Sequence, residues 1–143
     1  MSETQVAGPP SNLFAAIIKA IRPRQWVKNL LVLAAPLAAL GGDASYDYRE
    51  VAFKVGIAFV VFCMAASAIY LVNDARDVEA DRAHPTKQFR PIAAGVLPVG
   101  LAYAIATALG AACLAISWWL TPHLALVMAV YLVIQLALSL IHI

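Results

Sequence analysis

The sequence predicts an all-α integral membrane protein, a helical bundle with about four transmembrane helices, and three observations carry that prediction. Of 143 residues, 63% are hydrophobic and only 13% are charged, too few polar groups to cover a soluble domain of this size. From Pro91 to Ile143 there is no Asp, Glu, Lys or Arg, a stretch that lipid hides far more readily than a protein core does. Several apolar runs also reach the ~20 residues needed to cross ~30 Å of hydrocarbon.

The net charge of +2 is too small to argue for nucleic acid, and no basic face alternates with aromatic residues, so that class of partner is excluded. Cys63 and Cys113 fall midway along apolar runs, without metal or redox spacing, as packing residues do. Residues 1–11 are polar with Gly8, Pro9 and Pro10 and read as a disordered N-terminus. They lack the charged-then-apolar order of a signal peptide, so the first apolar segment belongs to the mature chain.

The first helix is expected over 12–40. Leu13, Phe14, Ile17, Ile18 and Ile21 recur at helical spacing, Ser11 or Asn12 offers a cap, and Pro23 and Pro36 mark kinks or boundaries. A polar link, Gly41 to Glu50, leads to a second helix over 51–81, whose Lys54 lies near one end and can snorkel. After a polar loop to Gly95, a third helix is expected over 97–120, ending in the interfacial pair Trp118 and Trp119. Thr121, Pro122 and His123 form a turn before a fourth helix over 124–143, in which Gln135 is the main polar group.

The basic residues set an orientation. Lys19, Arg22, Arg24 and Lys28 open the first helix, and Arg76, Arg82, Lys87 and Arg90 follow the second, whereas Arg49 and Lys54 stand alone between them. The positive-inside rule then puts the N-terminus and the Asn73–Gly95 region on the cytoplasmic side of the plasma membrane. The last residue, Ile143, arrives without a polar tail, so truncation is expected, because terminal carbonyls need water.

Chemistry concentrates where the second helix meets that loop. A continuous helix through Asn73-Asp74-Ala75-Arg76-Asp77-Val78-Glu79-Ala80-Asp81 places Asp74, Asp77 and Asp81 on one stripe, with Asn73 beside them. Neighbouring carboxylates repel, a divalent cation relieves that repulsion, and hard oxygen donors favour Mg²⁺ completed by a phosphate. A solvated helix end is the plainer reading. Against it stand the unfavourable helix dipole for acids at a C-terminus and the shared face. Downstream, Lys87 offers a mobile positive charge and Arg90 a planar fork for phosphate oxygens. Lys28 lies just inside an apolar helix, where a charge faces a site or snorkels. Tyr70, one turn before Asp74, is within reach of the same pocket, although a core tyrosine gives the same pattern.

These residues resemble a known group. Asn73-Asp74-x-x-Asp77-x-x-x-Asp81 followed by Lys87-x-x-Arg90-Pro91 looks like the first aspartate-rich motif of the UbiA-type membrane prenyltransferases. Arg22-Pro23-Arg24-Gln25-Trp26-Val27-Lys28-Asn29 and Arg90-Pro91-Ile92-Ala93-Ala94-Gly95 resemble the branch that transfers phosphoribose onto decaprenyl phosphate. The likeness runs from about residue 13 to about residue 137. It implies a nine-helix membrane bundle, 5-phosphoribosyl diphosphate as donor, a polyprenyl phosphate as acceptor, Mg²⁺ as cofactor, and a place in cell-wall arabinan synthesis. By the same resemblance Asn73, Asp74, Asp77 and Asp81 would hold magnesium and diphosphate, the three aspartates being catalytic, and Lys28, Lys87 and Arg90 would meet phosphate groups. The family carries a second aspartate-rich motif after its fourth helix, so the missing C-terminal helices of the same fold are expected partners and the chain alone is expected to be inactive.

Two other functions fit parts of the pattern. A prenyl diphosphate donor with an aromatic acceptor is the use most of that superfamily makes of the motif. A cation transporter would need polar groups at mid-bilayer depth, where the third helix offers little beyond Thr107 and the fourth only Gln135.

Overall fold

The computed structural model describes residues 11–33 and 47–141, and every regular element among them is helical. In chain order these are α1 (Leu13–Ile21), a 3-10 helix (Pro23–Leu33), α2 (Tyr48–Arg76), α3 (Val78–Arg82), a 3-10 turn (Lys87–Phe89), α4 (Val99–Leu120) and α5 (Pro122–Ile141). The expected disordered N-terminus, apart from Ser11, lies outside the described residues, as do the end of the expected first helix and most of the link after it.

The first expected helix is corrected. Asn12 caps α1, its side chain accepting the Ala15 N–H at 2.8 Å, but the helix ends at Arg22, whose φ of 53° is left-handed. Pro23 explains the stop: its ring disfavours the right-handed helical region for the preceding residue and removes a donor. Beyond it the chain winds as a 3-10 helix with three residues per turn. That period is visible in burial. Pro23, Trp26 and Asn29 are half-buried in register, whereas Arg24, Val27 and Leu30 are exposed. The apolar stripe of α1 also faces the other way from a soluble helix: Ala16 and Ala20 are buried, while Phe14 is 74% exposed.

The other elements start or stop differently for local reasons. Helix α2 begins before Val51 because the Asp47 side chain accepts the N–H of Arg49 at 3.0 Å, an N-terminal cap. It does not run unbroken to Asp81; Asp77 (φ −91°, ψ 11°) interrupts it, aspartate being a poor interior helix residue. Helix α5 starts at Pro122, since proline suits a first helical position and the Thr121 hydroxyl accepts the His123 N–H at 3.3 Å.

At about 1.5 Å per residue, the 29 residues of α2 span about 44 Å, more than the ~30 Å of hydrocarbon, so its ends reach past the apolar layer. Three helices among the described residues are long and apolar enough to cross a membrane, at Arg49–Arg76, Val99–Leu120 and Pro122–Ile141. Among the described residues the first segment is not a fourth.

The chain divides into two units, and α2 and α4 each contribute to both. One unit joins Arg24–Ala66 to Leu109–Ile143. Its core is Val61, Ala65, Cys113 and Met128, and the Cys113 thiol donates to the Val61 carbonyl at 3.3 Å. Phe53 meets Trp119 edge to face at 6.3 Å and Phe62 meets Tyr131 at 5.6 Å, geometries that suit the ring quadrupoles. Asn29 in the 3-10 helix donates to Cys63 Sγ at 3.4 Å. The other unit joins the chain up to Pro23 to Ser67–Ala108. Its buried apolar residues are small or aliphatic, among them Ala16, Ala20, Leu71, Ala75, Ile92, Leu97 and Ala102. The Ser67 hydroxyl donates to the Ile21 carbonyl at 2.6 Å, satisfying one of the orphan acceptors at the end of α1.

Candidate functional site

Asp74 sits in the last turn of α2 and is only 3% exposed. A carboxylate hidden to that degree needs cationic or hydrogen-bonding partners. It has two. Arg22 Nη2 donates to both Asp74 oxygens, at 2.8 and 2.9 Å. Arg90 Nη1 lies 3.4 Å from Asp74 Oδ1 and 3.2 Å from Asp81 Oδ2, bridging the two buried acids.

Local structure delivers each partner. Arg22 is the left-handed residue that closes α1, its N–H returning to the Lys19 carbonyl at 3.3 Å. Its guanidinium carbon lies 4.7 Å from the centre of the Tyr70 ring, one turn before Asp74. The ring face and the carboxylate thus hold one cation from two sides. Arg90 is extended where the Lys87–Phe89 turn ends. Its loop is fixed behind it by buried Ile92 and Leu97 and by Arg82 Nε, which donates to the Ala93 carbonyl at 3.0 Å. Gly95 completes the turn at φ 86°, a conformation that costs an L-residue about 1–2 kcal/mol. No atom would meet an added Cβ there, so Gly95→Ala is expected to lose about that amount through backbone strain alone. Thermal unfolding in detergent measures it.

The site residues expected from sequence are only partly brought together. Asp74 and Asp81 are joined through Arg90. Tyr70 is present as the platform under Arg22, and Asn73 is half-buried beside Asp74 in the chain. Asp77, on the interrupting residue, is exposed and does not share the buried face of its neighbours. Lys87 is exposed on its turn, whose Thr86 and Lys87 N–H groups both donate to His84 Nδ1 at 3.1 Å. Lys28 belongs to the other unit and is exposed there. Glu79, off the acidic stripe, pairs with Arg82 at 3.6 Å.

Arg22 was not among the expected site residues. Its partner lies 52 positions away, so no local spacing announces the pair. The available signal was an arginine stranded between an amphipathic helix and a proline.

The donor set suits a hard cation in kind, since Asn73, Asp74, Asp77 and Asp81 offer only oxygen ligands among them. As arranged, Asp74 and Asp81 are paired with Arg22 and Arg90. Among the described residues no three His, Cys, Asp or Glu side chains are grouped closely enough to hold a metal ion.

Comparison with known proteins decides the class. The model of the UbiA prenyltransferase family matches residues 29–141. The chain belongs to the UbiA prenyltransferase family. Its three apolar helices and that membership make it a multi-pass membrane protein. Among curated UbiA-type relatives, the decaprenyl-phosphate phosphoribosyltransferase of Mycolicibacterium smegmatis is 70% identical over 131 residues, covering 92% of this chain and 41% of its own length. That of Mycobacterium tuberculosis is 70% identical over 137 residues, covering 96% of this chain and 45% of its own. The enzyme of the same name from Corynebacterium glutamicum is 64% identical over 130 residues, 90% of this chain and 39% of its own length. The chain therefore spans less than half the length of these relatives.

Proposed function

We propose that this chain supplies the first half of the active site of a decaprenyl-phosphate phosphoribosyltransferase. The transferase would move 5-phosphoribose from phosphoribosyl diphosphate to a polyprenyl phosphate and release diphosphate, in cell-wall arabinan precursor synthesis. The observation that carries the reading is the 70% identity to relatives of that name across 92% of the chain, a stretch that includes the arginine–carboxylate cluster closing α2. The remaining helices of the fold would complete the site.

In the reaction the bond between ribose C1 and the diphosphate oxygen breaks, and a bond forms from a lipid phosphate oxygen to C1. The acceptor is already anionic, so no strong general base is needed. Arg90 and Lys87 would bind and orient the phosphates of the donor, Arg90 as a planar fork and Lys87 as a mobile charge. Arg22 and Arg90 hold Asp74 and Asp81 in ion pairs at the helix end. Asn73, Asp74, Asp77 and Asp81 would hold Mg²⁺, which when bound supplies neutralisation of the charge on the leaving diphosphate. A water-excluding cavity in the completed fold would strengthen these contacts and keep water from hydrolysing the donor. By the positive-inside rule the cluster and the Lys87 loop face the cytoplasm, where a soluble phosphorylated sugar is found.

The test supplies the full-length protein, in membranes with Mg²⁺, with labelled decaprenyl phosphate and either phosphoribosyl diphosphate or a prenyl diphosphate. Transfer is expected only from the first. In a parallel arm, labelled prenyl diphosphate is supplied with an aromatic acceptor; transfer there, and none from phosphoribosyl diphosphate to decaprenyl phosphate, refutes the assignment in favour of the commoner prenyl transfer.

A further inference from the structure

The cluster at the end of α2 is balanced before any ligand arrives. Asp74 and Asp81 bring two negative charges, and Arg22 and Arg90 bring two positive ones. The acids lie behind, with side chains 4% and 5% exposed, and the arginines stand in front at 28% and 31%. A dication that reached Asp74 alone would sit beside two guanidiniums in a poorly screened place. A diphosphate that arrived alone would meet guanidiniums whose charge is already offset, beside two carboxylates that repel it. Arriving together, the two ligands add charges of opposite sign that partly offset one another. The hydrogen bonds support such a change of partner. Arg22 reaches Asp74 through Nη2 only, and Arg90 reaches both acids through Nη1 only. Neither spends its other guanidinium nitrogens on these acids, and a guanidinium presents five donors.

We propose that Arg22 and Arg90 are exchangeable counter-ions for Asp74 and Asp81. They hold the two carboxylates until a divalent cation and a diphosphate arrive together, then turn to the phosphate oxygens as the cation takes the carboxylates. Arg22 is thereby a positioning residue with two successive partners, and cation and diphosphate bind as a coupled pair. The inference rests on the reading of this site as a cation–diphosphate site. It adds what occupies the acids beforehand and why one ligand alone binds poorly.

The experiment measures Mn²⁺ binding to the full-length protein in detergent by electron paramagnetic resonance, without and with inorganic diphosphate. Arg22→Gln and Arg90→Gln are each expected to tighten binding of Mn²⁺ alone about fivefold or more, a coupling of ordinary size, because the competing cation is gone. A merely structural arginine predicts the reverse, since its loss loosens the acids. Arg90→Gln keeps the Arg22–Asp74 pair and carries the test if Arg22→Gln does not fold. The unsubstituted protein gives an independent readout: guanidinium ¹⁵N resonances assigned to Arg22 and Arg90 are expected to shift with Mg²⁺ and diphosphate together and not with Mg²⁺ alone. Unchanged or weaker Mn²⁺ binding in the folded variants overturns the exchange, as does a guanidinium shift with Mg²⁺ alone. If Mn²⁺ binds normally with diphosphate and only the arginine effects are missing, the exchange alone fails. If Mn²⁺ binds under neither condition, the cation–diphosphate reading fails with it.

Discussion

Asp74→Ala is expected to destabilise the protein by about 1–3 kcal/mol, the cost of removing a charged hydrogen-bond partner from two half-buried arginines. The loss leaves Arg22 over the Tyr70 ring without its carboxylate and takes one of the two acids from Arg90. Arg22 also holds the left-handed turn between α1 and Pro23, so the junction of α1 with α2 is expected to loosen along with the pair. Urea or thermal unfolding in detergent, followed by helical circular dichroism, measures the change. Asp74→Asn keeps the size and hydrogen-bonding capacity of the side chain and is expected to cost less than Asp74→Ala. Equal stability of Asp74→Ala and the unsubstituted protein would falsify the view that this pair ties the N-terminal helix to α2.

Asp77→Ala separates chemistry from stability. Asp77 is exposed on the interrupted turn, so its truncation is expected to change stability by no more than about 0.5 kcal/mol. If it is a ligand for the cation that neutralises the leaving diphosphate, transfer by the full-length enzyme is expected to fall by about 10³-fold or more, as when a key electrostatic stabiliser is lost. Paired unfolding and radiolabelled transfer assays read the two effects. Near-normal transfer at ordinary magnesium concentrations removes Asp77 from the site.

The contrast between these aspartates shows where the reading of the residues stops. Their spacing placed Asp74, Asp77 and Asp81 on one stripe, which holds only for an unbroken helix. With the helix interrupted at Asp77, Asp74 and Asp81 are buried and Asp77 is not. Backbone hydrogen bonds still cross the interruption, from Asp77 N to the Asn73 carbonyl at 2.9 Å and from Asp81 N to the Asp77 carbonyl at 2.8 Å, so the segment does not scatter. Burial of the two acids follows from arginines that approach from other parts of the chain. Arg90 was legible as a cation near an acidic cluster, sixteen residues from Asp74. Arg22 was not, because the contact is made by folding across fifty-two.

Helix α1 teaches the same point about direction. Its apolar periodicity was plain, but the periodicity does not say which side is inside. Ala16 and Ala20 turn inward, Ile17 and Ile21 are half-buried, and Leu13, Phe14 and Ile18 turn outward, so the small residues make the closest approach.

By itself the amino-acid order determined that the chain is helical and apolar enough for membrane life, and which short segment concentrates its acids and bases. Those properties are sums over neighbouring residues: hydropathy over a span, side-chain spacing along a helix, proline and aspartate acting on their own backbone. Only the tertiary structure decided that the acids are held by Arg22 and Arg90, that Tyr70 serves as a ring beneath a cation, and that Asp77 stands apart. Such pairings depend on which distant segments meet, and a charge finds its partner through space and not along the chain.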